Sequence, residues 1–262
     1  NSATVSNGSM TGANYGGGVF RVDGGMLAVS DSTLSGNATS AYGGAVFALN
    51  YGTVTISAST LSGNTAFRGG AVYVRDGYVT LTVSDVTGNT AERTGGGVQV
   101  NGGSLKIEGG SITDNGWAPG QIGVTGYVGY GGGVLASSAM VDITTATIDG
   151  NYGGYGGGGV RLESVTGALI IATTITNNTA DNGGGVQIGA FGDSGAYTVS
   201  GTILDSIIDG NTAYSSGGGI HLTAYSTLSV ERTTISATTL SYPDSYGTTL
   251  ALGAGLANFR RS

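Results

Sequence analysis

One nine-residue frame recurs eight times along the chain, and nothing else in the sequence limits the fold so strongly. It reads VSDSTLSGN ending at Asn37, ISASTLSGN at Asn64, LTVSDVTGN at Asn89 and IEGGSITDN at Asn115. It continues as ITTATIDGN at Asn151, IIATTITNN at Asn178, ILDSIIDGN at Asn211 and VERTTISAT at Thr238. Columns one and six are always Val, Ile or Leu; the sixth holds Leu34, Leu61, Val86, Ile112, Ile148, Ile175, Ile208 and Ile235. Column four is always small, and column nine is Asn in every copy but the last. A second landmark, G-G-[GA]-[VI], follows each frame or precedes the first, with its apolar residue at Val19, Val46, Val72, Val98, Val134, Val160, Val186 and Ile220. Gly253-Ala254-Gly255-Leu256 is a degraded ninth copy. Repeats at such a period mark a solenoid or a propeller.

The steps from Val46 to Val72 and from Val72 to Val98 set the basic period at 26 residues, lengthened elsewhere by insertions at 116–130, 189–201 and 239–252. Within each unit the apolar residues alternate, as in Val54-Thr55-Ile56 and Leu105-Lys106-Ile107. That is the two-residue period of a strand, and no helical period competes with it. A hairpin array has no need of the same residue type at the same place in every unit. A parallel β-helix does, because each coil rests on the last at about 4.8 Å. Equivalent columns then become ladders: apolar ones fill the core, and Asn37, Asn64, Asn89, Asn115, Asn151, Asn178 and Asn211 are placed to bond amide to amide up the stack. Gly pairs supply turns with positive φ or close backbone approach. The expectation is an all-β fold, a single-stranded right-handed parallel β-helix over 1–262 with about nine coils and three short strands per coil. Its hand follows the usual crossover rule.

Composition narrows the function. Gly is 53 of 262 residues, charged residues are 10%, and Cys is absent, so disulfides, thiolate chemistry and most structural zinc sites are excluded. His221 and Lys106 are the single His and Lys. A formal net charge of −7 argues against nucleic acid and anionic membrane surfaces. No apolar run is long enough to insert as a membrane helix. No cofactor is indicated, Ca²⁺ included. The chain opens at Asn1 with no start Met and no signal peptide, which reads as a processed product or an excised segment.

Asn followed within about nine residues by G-G-A-V, as at Gly43-Gly44-Ala45-Val46 and Gly69-Gly70-Ala71-Val72, resembles the repeats of chlamydial polymorphic outer-membrane proteins. More broadly it resembles the right-handed β-helix passengers of bacterial autotransporters and large secreted adhesins. The resemblance covers nearly the whole chain and implies an extracellular or cell-surface structural or adhesive module. The chlamydial motif carries Phe three residues before Asn, where this chain has Leu, Val or Ile. The C-terminal membrane barrel of autotransporters has no counterpart here.

Three candidate surfaces emerge. Nine of the 14 Tyr fall between the Asn column and the landmark, at Tyr15, Tyr42, Tyr127, Tyr130, Tyr152, Tyr155, Tyr214, Tyr242 and Tyr246, joined by Phe67 and Trp117. This aromatic edge suits glycans, a neighbouring cell surface or another protein. A carbohydrate-active enzyme is the competing class, with Asp149 and Asp209 two coils apart in one column, about 9.6 Å, the separation of an inverting acid–base pair. The plainer reading is that both are exposed turn-side residues, and no catalytic or metal residue is assigned. Third, Thr and Ser dominate outward columns five and seven, an array similar to the ice-binding faces of some solenoids. The position after the landmark (Phe20, Phe47, Tyr73, Gln99, Leu135, Arg161, Gln187, His221) varies so widely that it reads as solvent-facing. At the ends, Thr4–Asn7 and Leu250–Phe259 still follow the repeat with no polar cap. Subunits stacked head to tail into a filament would cover such ends.

Overall fold

A computed structural model describes residues 5–6, 20–117, 129–189, 199–223 and 225–240. Its strands are parallel throughout, and each pairs with the equivalent strand one coil away. The pairing runs Val46↔Val72, Val72↔Val98, Val98↔Val134, Val134↔Val160, Val160↔Val186 and Val186↔Ile220. Register is therefore kept from coil to coil across the insertions. Column six stacks from Val5 on Leu34 through Ile208 on Ile235. The chain is a parallel β-solenoid of at least seven turns. No α-helix occurs among the described residues.

The first coil departs from the repeat as read. Phe20, not Val19, pairs with Val46, and Arg21 pairs with Phe47. The step is then 26 residues like its neighbours; the glycine count before Val19 misplaced it by one. Val19 and the ninth landmark, together with both termini on which head-to-tail stacking depends, lie outside the described residues. So do most of the insertions at 116–130, 189–201 and 239–252.

The core is one continuous apolar column set, with Leu34, Leu61, Val86, Ile112, Ile148, Ile175 and Ile208 fully buried beside Val46 through Val186. Each such side chain contributes roughly 1.5–3 kcal/mol by leaving water. Between the apolar columns run two polar ladders. In the first, each Asn from Asn37 to Asn178 donates both its backbone N–H and its Nδ2 to Oδ1 of the next Asn, at 2.8–3.0 Å. From Asn64 onward, Nδ2 also donates to the column-six carbonyl of the preceding coil, at 2.7–3.0 Å. Every interior rung is thus satisfied in a buried site, where an unpaired amide is costly. The second ladder uses column four. Backbone N–H of Ser32, Ser59, Thr173 and Ser206 donates to the hydroxyl of Ser59, Ser84, Ser206 and Thr233, at 3.1–3.2 Å. Gly110 and Ala146 interrupt it, having no hydroxyl.

Left-handed residues recur at fixed places and turn each coil. One is column three: Asp31, Ala58, Val83, Thr145, Ala172, Asp205 and Arg232 all sit at φ between 45° and 53°. Another is the first landmark glycine, from Gly43 (φ 61°) to Gly217 (φ 63°). The second landmark glycine serves a different need. A Cβ on Gly70 would lie 2.0 Å from the carbonyl oxygen of Gly96, so only hydrogen lets successive coils seat there.

The segment between the Asn column and the landmark is not only a turn. Thr65–Arg68, Thr90–Thr94, Tyr152–Gly156, Thr179–Asn182 and Thr212–Ser216 belong to a separate parallel sheet. The arm therefore adds a strand beyond the three expected per coil, and in two coils those three run together as Val72–Thr87 and Val98–Thr113. This arm stands at an angle to the landmark strands, and the glycine turn joins the two.

A candidate binding cleft

The arm covers the position after the landmark. Phe47, Tyr73, Gln99, Leu135, Arg161 and Gln187 are all buried, and His221 is half-buried. The expectation of a solvent-facing column is therefore overturned. Alternation does point these side chains away from the main core, but they enter the angle between landmark strand and arm instead of water. A column of mixed residue type looks exposed in sequence; here it is mixed because it lines a second interior.

At the lower coils the angle is filled by aromatic rings. Tyr42 stacks on Tyr73 with ring centroids 4.7 Å apart, and Phe47 lies 5.6 Å from each. Burial raises the Tyr73 hydroxyl above its ordinary value, against the lowering influence of Arg68. At the upper coils it is filled by Arg161, whose guanidinium lies 5.3 Å from the Tyr130 ring centre. Arg161 Nε donates to Glu163 Oε1 at 2.9 Å, and both side chains are almost wholly buried. Burial pushes the Glu163 carboxyl up, with Arg161 opposing. Next along, Gln187 Nε2 lies 3.4 Å from His221 Nδ1. Burial, helped by the charge of Arg161, holds His221 below the usual histidine range.

Between these fillings the angle opens into a cleft of about 340 Å³. Gln99, Asn101, Leu135, Ser137 and Glu163 form its floor; Arg68, Arg93, Thr94 and Tyr130 form its wall. A directed chain crosses the floor: Thr94 Oγ1 donates to Gln99 Oε1 (2.8 Å), Gln99 Nε2 to Asn101 Oδ1 (3.2 Å), and Asn101 Nδ2 to the Tyr73 hydroxyl (3.1 Å). The guanidiniums of Arg68 and Arg93 lie 5.8 and 5.6 Å from the Phe67 ring centre. Three buried atoms along the arm have no hydrogen-bond partner: Arg68 Nε, on a residue that lines the cleft, and Arg161 Nη1 and Gln187 Oε1 beyond it. Such atoms are rare in native proteins and call for an explanation.

The residues singled out from sequence fall in three places. Tyr42, Phe67 and Tyr130 belong to the cleft or its margins. Tyr155 reaches Tyr130 at 5.5 Å, while Tyr152 is half-buried and Tyr214 exposed farther along the arm. Tyr15, Tyr127, Tyr242, Tyr246 and the side chain of Trp117 lie outside the described residues. Asp149 and Asp209 occupy one column on a different face, with Thr176 between them. Asp149 Oδ1 accepts from Thr176 Oγ1 (2.6 Å) and Asn177 Nδ2 (2.8 Å), and Asp209 Oδ1 accepts from Ser236 Oγ (2.5 Å). These bonds tie successive coils together, and they commit hydroxyls of the Thr/Ser array to carboxylates. The cleft residues Arg68, Arg93, Gln99, Asn101 and Glu163 were missed as a group. Their only sequence signal was an uneven share of base: three of the chain's nine Lys and Arg stand at this one angle.

A family model described as right handed beta helix region matches residues 44–235, well over half of the chain. No curated protein and no solved structure matches it.

Proposed function

We propose, from the premise that this chain belongs to the right-handed β-helix family, that it is a non-catalytic adhesive module which holds a glycan in the arm cleft. The observation that carries the reading is the cleft itself. It combines planar polar donors (Arg68, Arg93, Gln99, Asn101) with an apolar patch (Tyr130, Leu135) on a rigid frame. Sugars present that mixture of hydroxyl edge and apolar ring face. Binding is favoured over cleavage because one carboxylate lines the cleft among the described residues, and Arg161 already occupies it. Hydrolysis of a glycosidic bond ordinarily draws on two carboxyl groups about 5–10 Å apart. The likeness of the landmark to surface-protein repeats supports an extracellular setting.

The test is retention of the protein on a panel of immobilised neutral and acidic glycans, with the supernatant assayed for new sugar ends. Retention without release is expected. Ser137→Trp, which fills the cleft from a half-buried position, should abolish retention while leaving the circular dichroism unchanged. Release of sugar ends that Glu163→Gln abolishes would replace this reading with an enzyme.

A further inference from the structure

The cleft's charge and its closed ends say more about what it takes. The chain as a whole is acidic, with a net charge of −7. At the cleft the sign reverses: Arg68 and Arg93 line it with a single carboxylate, Glu163, with which the buried Arg161 already pairs. Among the described residues no carboxylate lies within ion-pair distance of Arg68 or Arg93. Both guanidiniums lie within 6 Å of the Phe67 ring centre, and a ring face attracts cations and restricts the planes they adopt. Arg68 Nε, on a residue of the cleft wall, is a buried donor without a hydrogen-bond partner. Two guanidiniums on one wall of a small cavity, with no described carboxylate paired to them, describe a site awaiting an anion with planar oxygens.

The ends of the cavity limit the ligand's length. Along the solenoid axis the stacked Tyr42–Tyr73 pair closes one side, and Arg161 packed on Tyr130 closes the other. Tyr73, Gln99, Leu135 and Arg161 are successive rungs of one column, so the closed ends are three rungs apart, about 14 Å. A polymer cannot run through such a space along the axis.

We infer that the cleft takes the acidic end of a glycan chain: a terminal pyranose carrying a carboxylate, with little room for sugars beyond the next one. The carboxylate meets Arg68 and Arg93, the ring face rests on Tyr130 and Leu135, and the ring hydroxyls meet the Gln99–Asn101 chain. This assignment rests on the glycan-binding reading above and adds to it the charge of the sugar and its place in the chain.

Calorimetric titration of the intact protein tests it with methyl glucuronide, its methyl ester, sialyllactose, lactose and a long polyglucuronate. The free acid should bind at least about ten-fold tighter than its ester, the weight of one charge-assisted contact. Arg93→Gln should erase that ratio, and Arg93→Lys should restore only part of it, because a point charge replaces a fork. Glucuronide and sialyl arms separate the two sources of a sugar carboxylate, and tight binding in either supports the assignment. Polyglucuronate should bind a fixed number of protein molecules per chain whatever its length. Equal affinity for acid and ester, with lactose also bound, would overturn the acidic assignment and leave glycan binding standing. Protein bound in proportion to polymer length would overturn the chain-end assignment. Failure of every sugar would remove both readings.

Discussion

At the residue scale, His221 reports on the buried polar column. It is the only His in the chain, and burial holds its pKa below the ordinary 6.5. The unfolded chain therefore takes up a proton more readily than the folded one. The stability this residue contributes is full above pH 6.5 and is lost as pH falls from there toward the folded value. Glu163 acts with the opposite sign. Its raised value contributes stability that is present below 4.5 and lost as pH rises through the folded value. Comparing wild type with His221→Gln isolates the first effect: below pH 6.5 the urea midpoint of the wild type should fall relative to that of the variant. A constant difference between the two midpoints from pH 7 to 5 would show that His221 titrates alike in both states. Val83 offers a test of backbone strain. It is a β-branched residue at φ 46°, 65% exposed, so little packing opposes its replacement. Left-handed backbone costs an ordinary side chain roughly 1–2 kcal/mol, and Asn tolerates it better. Val83→Asn should stabilise the protein by about 1 kcal/mol in thermal melts.

At the element scale, a rung of the Asn ladder is worth more than the bonds it makes. Asn115→Ala removes the acceptor of two buried donors, the backbone N–H and Nδ2 of Asn89, and leaves the Val86 carbonyl without its amide. At about 1–3 kcal/mol for each stranded group, the loss should reach roughly 3–5 kcal/mol. Ser111→Ala in the same coil removes only an exposed bond to Asp85 and should cost about 0.5 kcal/mol or less. Chemical denaturation of the two variants side by side checks the ranking. The ladder, the apolar columns and the solenoid were legible in sequence because each rests on one residue type at one position, repeated coil after coil. The arm was not. Its strands, such as Thr90–Thr94 and Tyr152–Gly156, are polar or glycine-rich, and their pairing is carried by backbone that any sequence supplies. The cleft was hidden for the same reason: Gln99, Leu135 and Arg161 share a column but no chemistry, and only the arm folding over them makes a common site. The column-three turn escaped as well, since Asp31, Ala58, Val83 and Arg232 do not announce a left-handed residue as glycine does.

At the scale of the whole molecule, a solenoid's coils touch only their neighbours, so stability is close to a sum over coils and their interfaces. Register, not sequence identity, decides whether two coils stack. Deleting 134–159, which is 26 residues from Val134 to Gly159, joins Gly133 to Val160. Val98 then meets Val160, and Asn115 meets Asn178, as each already meets its own equivalent. The shortened chain should fold, melt cooperatively, and lose about 4.8 Å of length in small-angle scattering. Deleting 135–159 instead removes one residue fewer and shifts the following landmark strand by one. Its inward side chains would then face the arm, and Arg161 would point at the core, so this variant should not fold. The functional consequence separates the two roles of the coil. The in-phase deletion takes Leu135 and Ser137 with it and draws Arg161 one rung closer to Tyr73. A cleft three rungs long becomes two, about 9.6 Å, and glycan binding should be lost from a protein that remains folded. If the in-phase variant unfolds as readily as its out-of-phase partner, coil 134–159 carries stability that its neighbours cannot replace, and the additive description of this rod fails.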